Sequence, residues 1–170
     1  ISGDLSWNTH FESVYNYAYR KLCFMRRSSR GTNSDIRTNV YITLARPTLE
    51  YASIIWDPHA QTQINKVKRI QRLATRFIFP KYDRPESVPA LLREARLSFL
   101  EPRRRIARLR FLYLLYFKYP HNDTQNYIRS GRWSRRLNNE LSVDPFMPNI
   151  DIFKYPLLVK PIEEWSRLPS

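Results

Sequence analysis

The sequence predicts an all-α protein, a small helical bundle of about five helices with a short extended N-terminal stub and a partly irregular C-terminal tail. Three observations predict it. Only 3 glycines occur in 170 residues, apolar residues recur every three or four positions over long stretches, and Ser/Thr-x-x-Glu pairs of capping-box type open two of those stretches. Hydrophobic residues make up 42% of the chain, enough for one core at a mass where roughly 70% of the unfolded surface becomes hidden.

Residues 1–7 read as an extended lead-in, the remnant of a strand, and a start at Ile1 within that pattern suggests a piece of a longer polypeptide. Thr9 and Glu12 have capping-box spacing, so a first helix is expected over 10–29, with Phe11, Val14, Tyr15, Ala18, Leu22 and Met25 inward and Gly31 as its stop. Ser34 or Asp35 should cap a second helix with Ile36, Val40 and Leu44 inward. Pro47 lacks an amide donor and clashes with the preceding turn, so that helix must kink or restart before Asp57-Pro58. Leu49, Tyr51, Ala52, Ile54, Ile55 and Trp56 are apolar enough to be buried there. A third helix spans 61–79. Ile64, Val67, Ile70 or Gln71, Ala74, Phe77 and Ile78 form its inner face, and Asn65, Arg69, Arg72 and Arg76 fall on one polar stripe.

The prolines of 80–89 mark a loop into a short helix, 88–95, capped by Ser87. Ser98 and Glu101 form the second capping pair and open a fifth helix over 99–118, with Ile106, Leu109, Tyr113, Tyr116 and Phe117 as its buried line. Prolines and polar runs then replace periodicity. Residues 119–158 read as mostly irregular, and a short helix over 160–168 should dock Ile162, Trp165 and Leu168 on the core. The expected organisation is a stub at 1–7, a helical nucleic-acid-binding domain at 8–118 and an extension at 119–170.

Catalytic chemistry finds little to work with. His10, His59 and His121 are far apart without a second ligand at metal spacing, and Cys23 is the sole cysteine, so no metal site and no cofactor are expected. The acids are scattered apart from Glu163-Glu164, which on a short helix favours its N-terminus. No glycine-rich phosphate loop or serine elbow occurs. No catalytic residue is assigned, and the chain is not expected to be an enzyme on its own. Tyr15 reads as core rather than as a base-stacking platform with Tyr17 and Tyr19, which fall on other sides of the helix. Trp56 and Trp165 also read as core.

Charge is the informative feature. Against 15 Asp+Glu stand 29 Lys+Arg, a formal net charge of +14, so a polyanion is the natural partner. Residues 60–118 hold 15 of those cations and 4 acids, which concentrates +11 in one window. Arginine presents a planar fork suited to phosphate, and Lys68, Arg69, Arg72 and Arg76 together with Arg103, Arg104, Arg105 and Arg108 are the expected nucleic-acid-binding residues. Arg103, Arg104 and Arg105 sit in the first turns of their helix, where the macrodipole disfavours a cation by about 0.3–1 kcal/mol. Stability alone does not explain that placement. The bland alternative is a solvated face, or arginine stems covering apolar surface. A membrane partner is not expected, because no long apolar run occurs and the apolar stripes lie in several helices able to pack together.

Several strings in order carry a resemblance. Ile1 to His10, Leu44-Ala45-Arg46-Pro47-Thr48-Leu49-Glu50-Tyr51-Ala52-Ser53 with Trp56-Asp57-Pro58, Gln71-Arg72-Leu73-Ala74-Thr75-Arg76-Phe77, Leu100-Glu101-Pro102-Arg103-Arg104, and Pro161 to Pro169 resemble the region after the palm in reverse transcriptases of non-LTR retrotransposons, jockey-like elements of arthropods above all. The resemblance implies a helical thumb and C-terminal extension that grip template RNA or an RNA–DNA duplex beside a palm domain. The single cysteine and the lack of a signal-peptide pattern or long apolar run give the expectation of an intracellular setting, nuclear or in a cytoplasmic ribonucleoprotein. The paired metal-binding aspartates of the palm have no counterpart in these residues, since Asp4 has no partner aspartate. Polymerase activity is therefore not carried over.

Overall fold

The computed structural model describes residues 7–80, 87–118, 143 and 159–168. The expected stub apart from Trp7, the loop at 81–86 and nearly all of the segment read as irregular lie outside the described residues. Regular structure among the described residues is helical, as the periodicity predicted. The chain divides into two compact units, Ile1–Arg103 and Arg104–Ser170. The division falls inside a helix that the sequence reading placed wholly within the 8–118 domain.

In the first unit, α1 (Asn8–Ser28) buries Phe11, Ala18, Leu22 and Met25, with Val14 and Tyr15 half-buried against the same core. The expected Thr9–Glu12 capping box does not form. Trp7 occupies the cap position without a side-chain bond, and Glu12 instead reaches across to Lys66. Gly31 ends the segment with φ +83°, where a Cβ would be strained. The next cap is Asn33 rather than Ser34 or Asp35: its Oδ1 accepts the Ile36 N–H at 2.9 Å and starts α2 (Ser34–Val40).

Pro47 shapes the chain ahead of itself. Its ring would collide with the Thr43 carbonyl in an α-helix, and residues Tyr41–Ala45 widen into a π-helical turn before α3 (Arg46–Glu50). In the wider turn the Arg46 N–H reaches back five residues to the Tyr41 carbonyl. Tyr41, Ala45 and Leu49 form the inward line, whereas Ile36 and Leu44, expected inward, are exposed. A left-handed Ala52, φ +50°, then restarts the chain as α4 (Ser53–Trp56). Trp56 is buried and its indole N–H donates to the Tyr51 carbonyl at 2.9 Å. The Tyr51 ring itself is 82% exposed, and Ala52 and Ile55 also face solvent, so burial of this whole apolar run is corrected.

Helix α5 (Gln61–Ile78) matches its prediction to one residue and buries Val67, Ile70, Gln71, Ala74, Thr75, Phe77 and Ile78. Each large apolar side chain in that line contributes roughly 1.5–3 kcal/mol. Helix α6 (Val88–Glu94) follows Ser87, whose carbonyl, not its hydroxyl, accepts the first helical amides. Helix α7 (Leu100–Tyr113) is anchored by Gln71, whose amide group donates to the Ser98 carbonyl at 3.2 Å and accepts the Leu100 N–H at 3.4 Å.

The second unit holds the rest of α7, a π-helical turn at Leu114–Lys118, Val143 and α8 (Val159–Ser166). Leu112, Val143 and Ile162 form its buried cluster, with Leu115, Tyr116 and Trp165 packed on it. Ile162 and Trp165 dock as expected, while Leu168 stays exposed. The predicted buried line of α7 is corrected: Ile106 is 65% exposed and Tyr113 and Phe117 are exposed, and the buried residues at four-residue steps are Leu100, Arg104, Arg108 and Leu112.

Tyr41 gives the first unit an alkaline signature. Burial pushes its phenol up to about 12 from 10, with the nearby Glu50 carboxylate raising it further and Arg46 opposing. Below pH 10 the phenol is neutral whether folded or unfolded, and its contribution is complete. Between pH 10 and 12 the unfolded chain ionises and the folded one resists, which removes about 3 kcal/mol over that window. Urea melts at pH 9 and 11 should therefore show a loss that Tyr41→Phe diminishes by roughly 1 kcal/mol.

Candidate nucleic-acid interface

The inner face of α5 is fixed by its seven buried residues, and this fixes the outer face as well. Asn65, Lys68, Arg69, Arg72 and Arg76 are all exposed. At 1.5 Å rise per residue the guanidinium bases of Arg69, Arg72 and Arg76 follow one another at steps of about 5 Å along the rod. None of these four cations pairs with a carboxylate among the described residues. Lys66, one position off the stripe, shows the contrast: it is paired with Glu12 and lies 5.5 Å from the Tyr15 ring centre. The expectation that Tyr19 lies on another side of α1 from Tyr15 is corrected, since four residues apart the two stack with centroids 6.4 Å apart; Tyr17 carries Lys21 at 4.4 Å.

The arginines of α7 are arranged differently, and the expectation that they face a phosphate chain is corrected for three of them. Arg103 makes a two-pronged ion pair with Glu50, its Nη2 3.2 Å from Oε2. That bonding raises the Arg103 guanidinium pKa above its ordinary value. Arg108 is 2% exposed and grips Glu164 through Nε at 3.1 Å and through Nη2. Arg104 is 5% exposed. The Glu50 carboxylate therefore offsets the cost of a cation near the helix N-terminus, and Glu164 serves the mid-helix Arg108 rather than the start of its own helix. Arg105 alone of the four remains on the exposed side without a described acidic partner.

A second basic site escaped the sequence reading. Where α1 and α5 end beside the start of α2, a cavity of about 430 Å³ is lined by Cys23, Arg26, Arg27, Ser29, Arg30, Arg37, Arg76, Phe77 and Pro80. Among the described lining residues five are arginines and none is an acid. Arg37 is half-buried and held in place: its Nε donates to Thr32 Oγ1 and its Nη1 to the Phe77 carbonyl, each at 3.4 Å. Thr32 Oγ1 in turn donates to the Ser29 carbonyl at 2.9 Å. The other four arginines are exposed. The available signal was the acid-free stretch between Glu12 and Asp35, which contains Arg20, Lys21, Arg26, Arg27 and Arg30.

Among the described residues, no three His, Cys, Asp or Glu side chains come together as a metal site, and no helix is long and apolar enough to cross a membrane. Comparison with protein-family models, with curated proteins and with solved structures gives no match.

Proposed function

We propose that this chain binds the phosphodiester backbone of RNA or of an RNA–DNA duplex, in the manner of the reverse-transcriptase thumb that its sequence resembles, and performs no nucleotidyl transfer itself. The observation that carries this reading is the exposed row Lys68, Arg69, Arg72 and Arg76 on a helix whose opposite face is locked in the core. Like charges at i,i+3 and i,i+4 in that row cost the helix about 0.2–0.5 kcal/mol per pair. A polyanion converts that cost into attraction.

Binding of a labelled RNA–DNA duplex, followed by fluorescence anisotropy between 50 and 200 mM salt, tests it. Each phosphate neutralised contributes roughly 0.9 to the log–log salt slope for duplex DNA. The triple variant Lys68→Gln, Arg69→Gln, Arg72→Gln should flatten the slope by about 2 to 3 and weaken all sequences alike. A slope unchanged by the triple variant contradicts the reading.

Exposed Tyr17, Phe24 and Leu44 favour a second reading, docking of a protein surface such as a palm domain. They flank Lys21, whose Nζ donates to the Leu44 carbonyl at 3.0 Å and to Thr48 Oγ1 at 2.9 Å. Retained binding to an isolated palm without any RNA shift supports that reading.

A further inference from the structure

The arginine cavity has a chemistry of its own. Helices α1 and α5 both end at its wall, and a helix C-terminus carries the equivalent of about −0.5 charge. Two such ends balance about one of the five guanidinium charges. The remaining excess is roughly +4, gathered around one space rather than spread along a face.

We propose that this cavity is a binding site for an oligophosphate group. The net excess matches a fully ionised triphosphate monoester, and 430 Å³ holds the thirteen or so heavy atoms of that group at about the volume each water takes in the liquid, ~30 Å³. Planar arginine forks take phosphate oxygens two at a time. Arg37, pinned between Thr32 and the Phe77 carbonyl, presents its fork without further ordering, while Arg26, Arg27, Arg30 and Arg76 close from the rim. The same chemistry is carried by a free oligophosphate or by the 5′-triphosphate end of an RNA strand. The proposal stands apart from backbone binding along α5, although Arg76 belongs to both places.

Cys23 is the one thiol of the chain and lines the cavity half-buried, so its alkylation reports occupancy of this site alone. Iodoacetamide labelling of the full chain, followed by intact-mass spectrometry, should slow about elevenfold when tripolyphosphate is present at ten times its Kd from calorimetry. Sulfate at matched ionic strength should leave the rate unchanged. The exposed pair Arg26→Gln, Arg30→Gln should abolish the protection with an unaltered melting curve. Arg37→Lys, which removes the planar fork and keeps the charge, should weaken it.

The source follows from two further probes. An RNA with a 5′-triphosphate should protect better than the same RNA with a 5′-hydroxyl if the strand end is the ligand. Protection by tripolyphosphate, with none added by the 5′-triphosphate, identifies a free anion. Equal protection by sulfate, or full protection in the Arg26/Arg30 variant, overturns the proposal. The Lys68/Arg69/Arg72 variant should keep its protection, so failure of backbone binding and failure of the cavity site are separately visible.

Discussion

Replacing Glu164 by alanine is expected to destabilise the second unit by about 3–5 kcal/mol, the largest effect of any single substitution considered for this protein. The cause is the partner left behind. Arg108 is almost wholly buried and holds both oxygens of Glu164. Removing the carboxylate takes away two hydrogen bonds and the opposite charge that offset the desolvation of the cation. Replacing both residues, Arg108→Met with Glu164→Leu, should recover most of the loss, because a buried ion pair gives little net stability over apolar side chains of similar size. Chemical denaturation of the single and double variants checks both statements. Equal loss in the double variant would mean that shape, not charge, is what the pair supplies.

The second large effect is expected at Gln71. Gln71→Met keeps the side-chain volume and removes both hydrogen bonds that tie α5 to the beginning of α7. The Leu100 amide and the Ser98 carbonyl then lose their partner, the amide in a buried position. Each unsatisfied buried polar group costs about 1–3 kcal/mol, so a total near 2–4 kcal/mol is expected. Amide hydrogen exchange gives the specific readout: protection at Leu100 should fall by more than protection at Ile70, which lies in the same helix as the substitution but does not depend on Gln71 for its bond. Gln71→Glu tests the direction of the bonds, since a carboxylate can accept from Leu100 but cannot donate to Ser98.

These two side chains also show what could and could not be read from the amino-acid order. Helix α5 was legible in both faces because Val67, Ile70, Ala74, Phe77 and Ile78 are apolar and its outward residues are not, and the period then settles orientation. The same reasoning misplaced α7. There the inward line Leu100, Arg104, Arg108, Leu112 is half cationic, and the apolar line through Ile106 and Tyr113 looked better by periodicity. The inward Arg108 is bonded to a carboxylate 56 positions away, and no local pattern carries that information. Pro47 was recognised as an interruption, but the π-helical answer to it, and the rotated set of inward residues, depend on tertiary packing.

The candidate sites divide along the same line. The α5 row was readable because one helix contains it. The cavity was not, since Arg37 and Arg76 come together only after α2 has packed beside the end of α5, and the segment around Arg26 and Arg30 gave only a local excess of charge.

The separation of faces on α5 has an evolutionary consequence. Exchanging Lys68, Arg69 or Arg72 removes cations from exposed positions and leaves the seven buried residues of α5 in place. Selection can therefore raise, lower or abandon affinity for a polyanion while the scaffold persists unchanged. A descendant that lost its ligand altogether would still fold, and would remain available for another use.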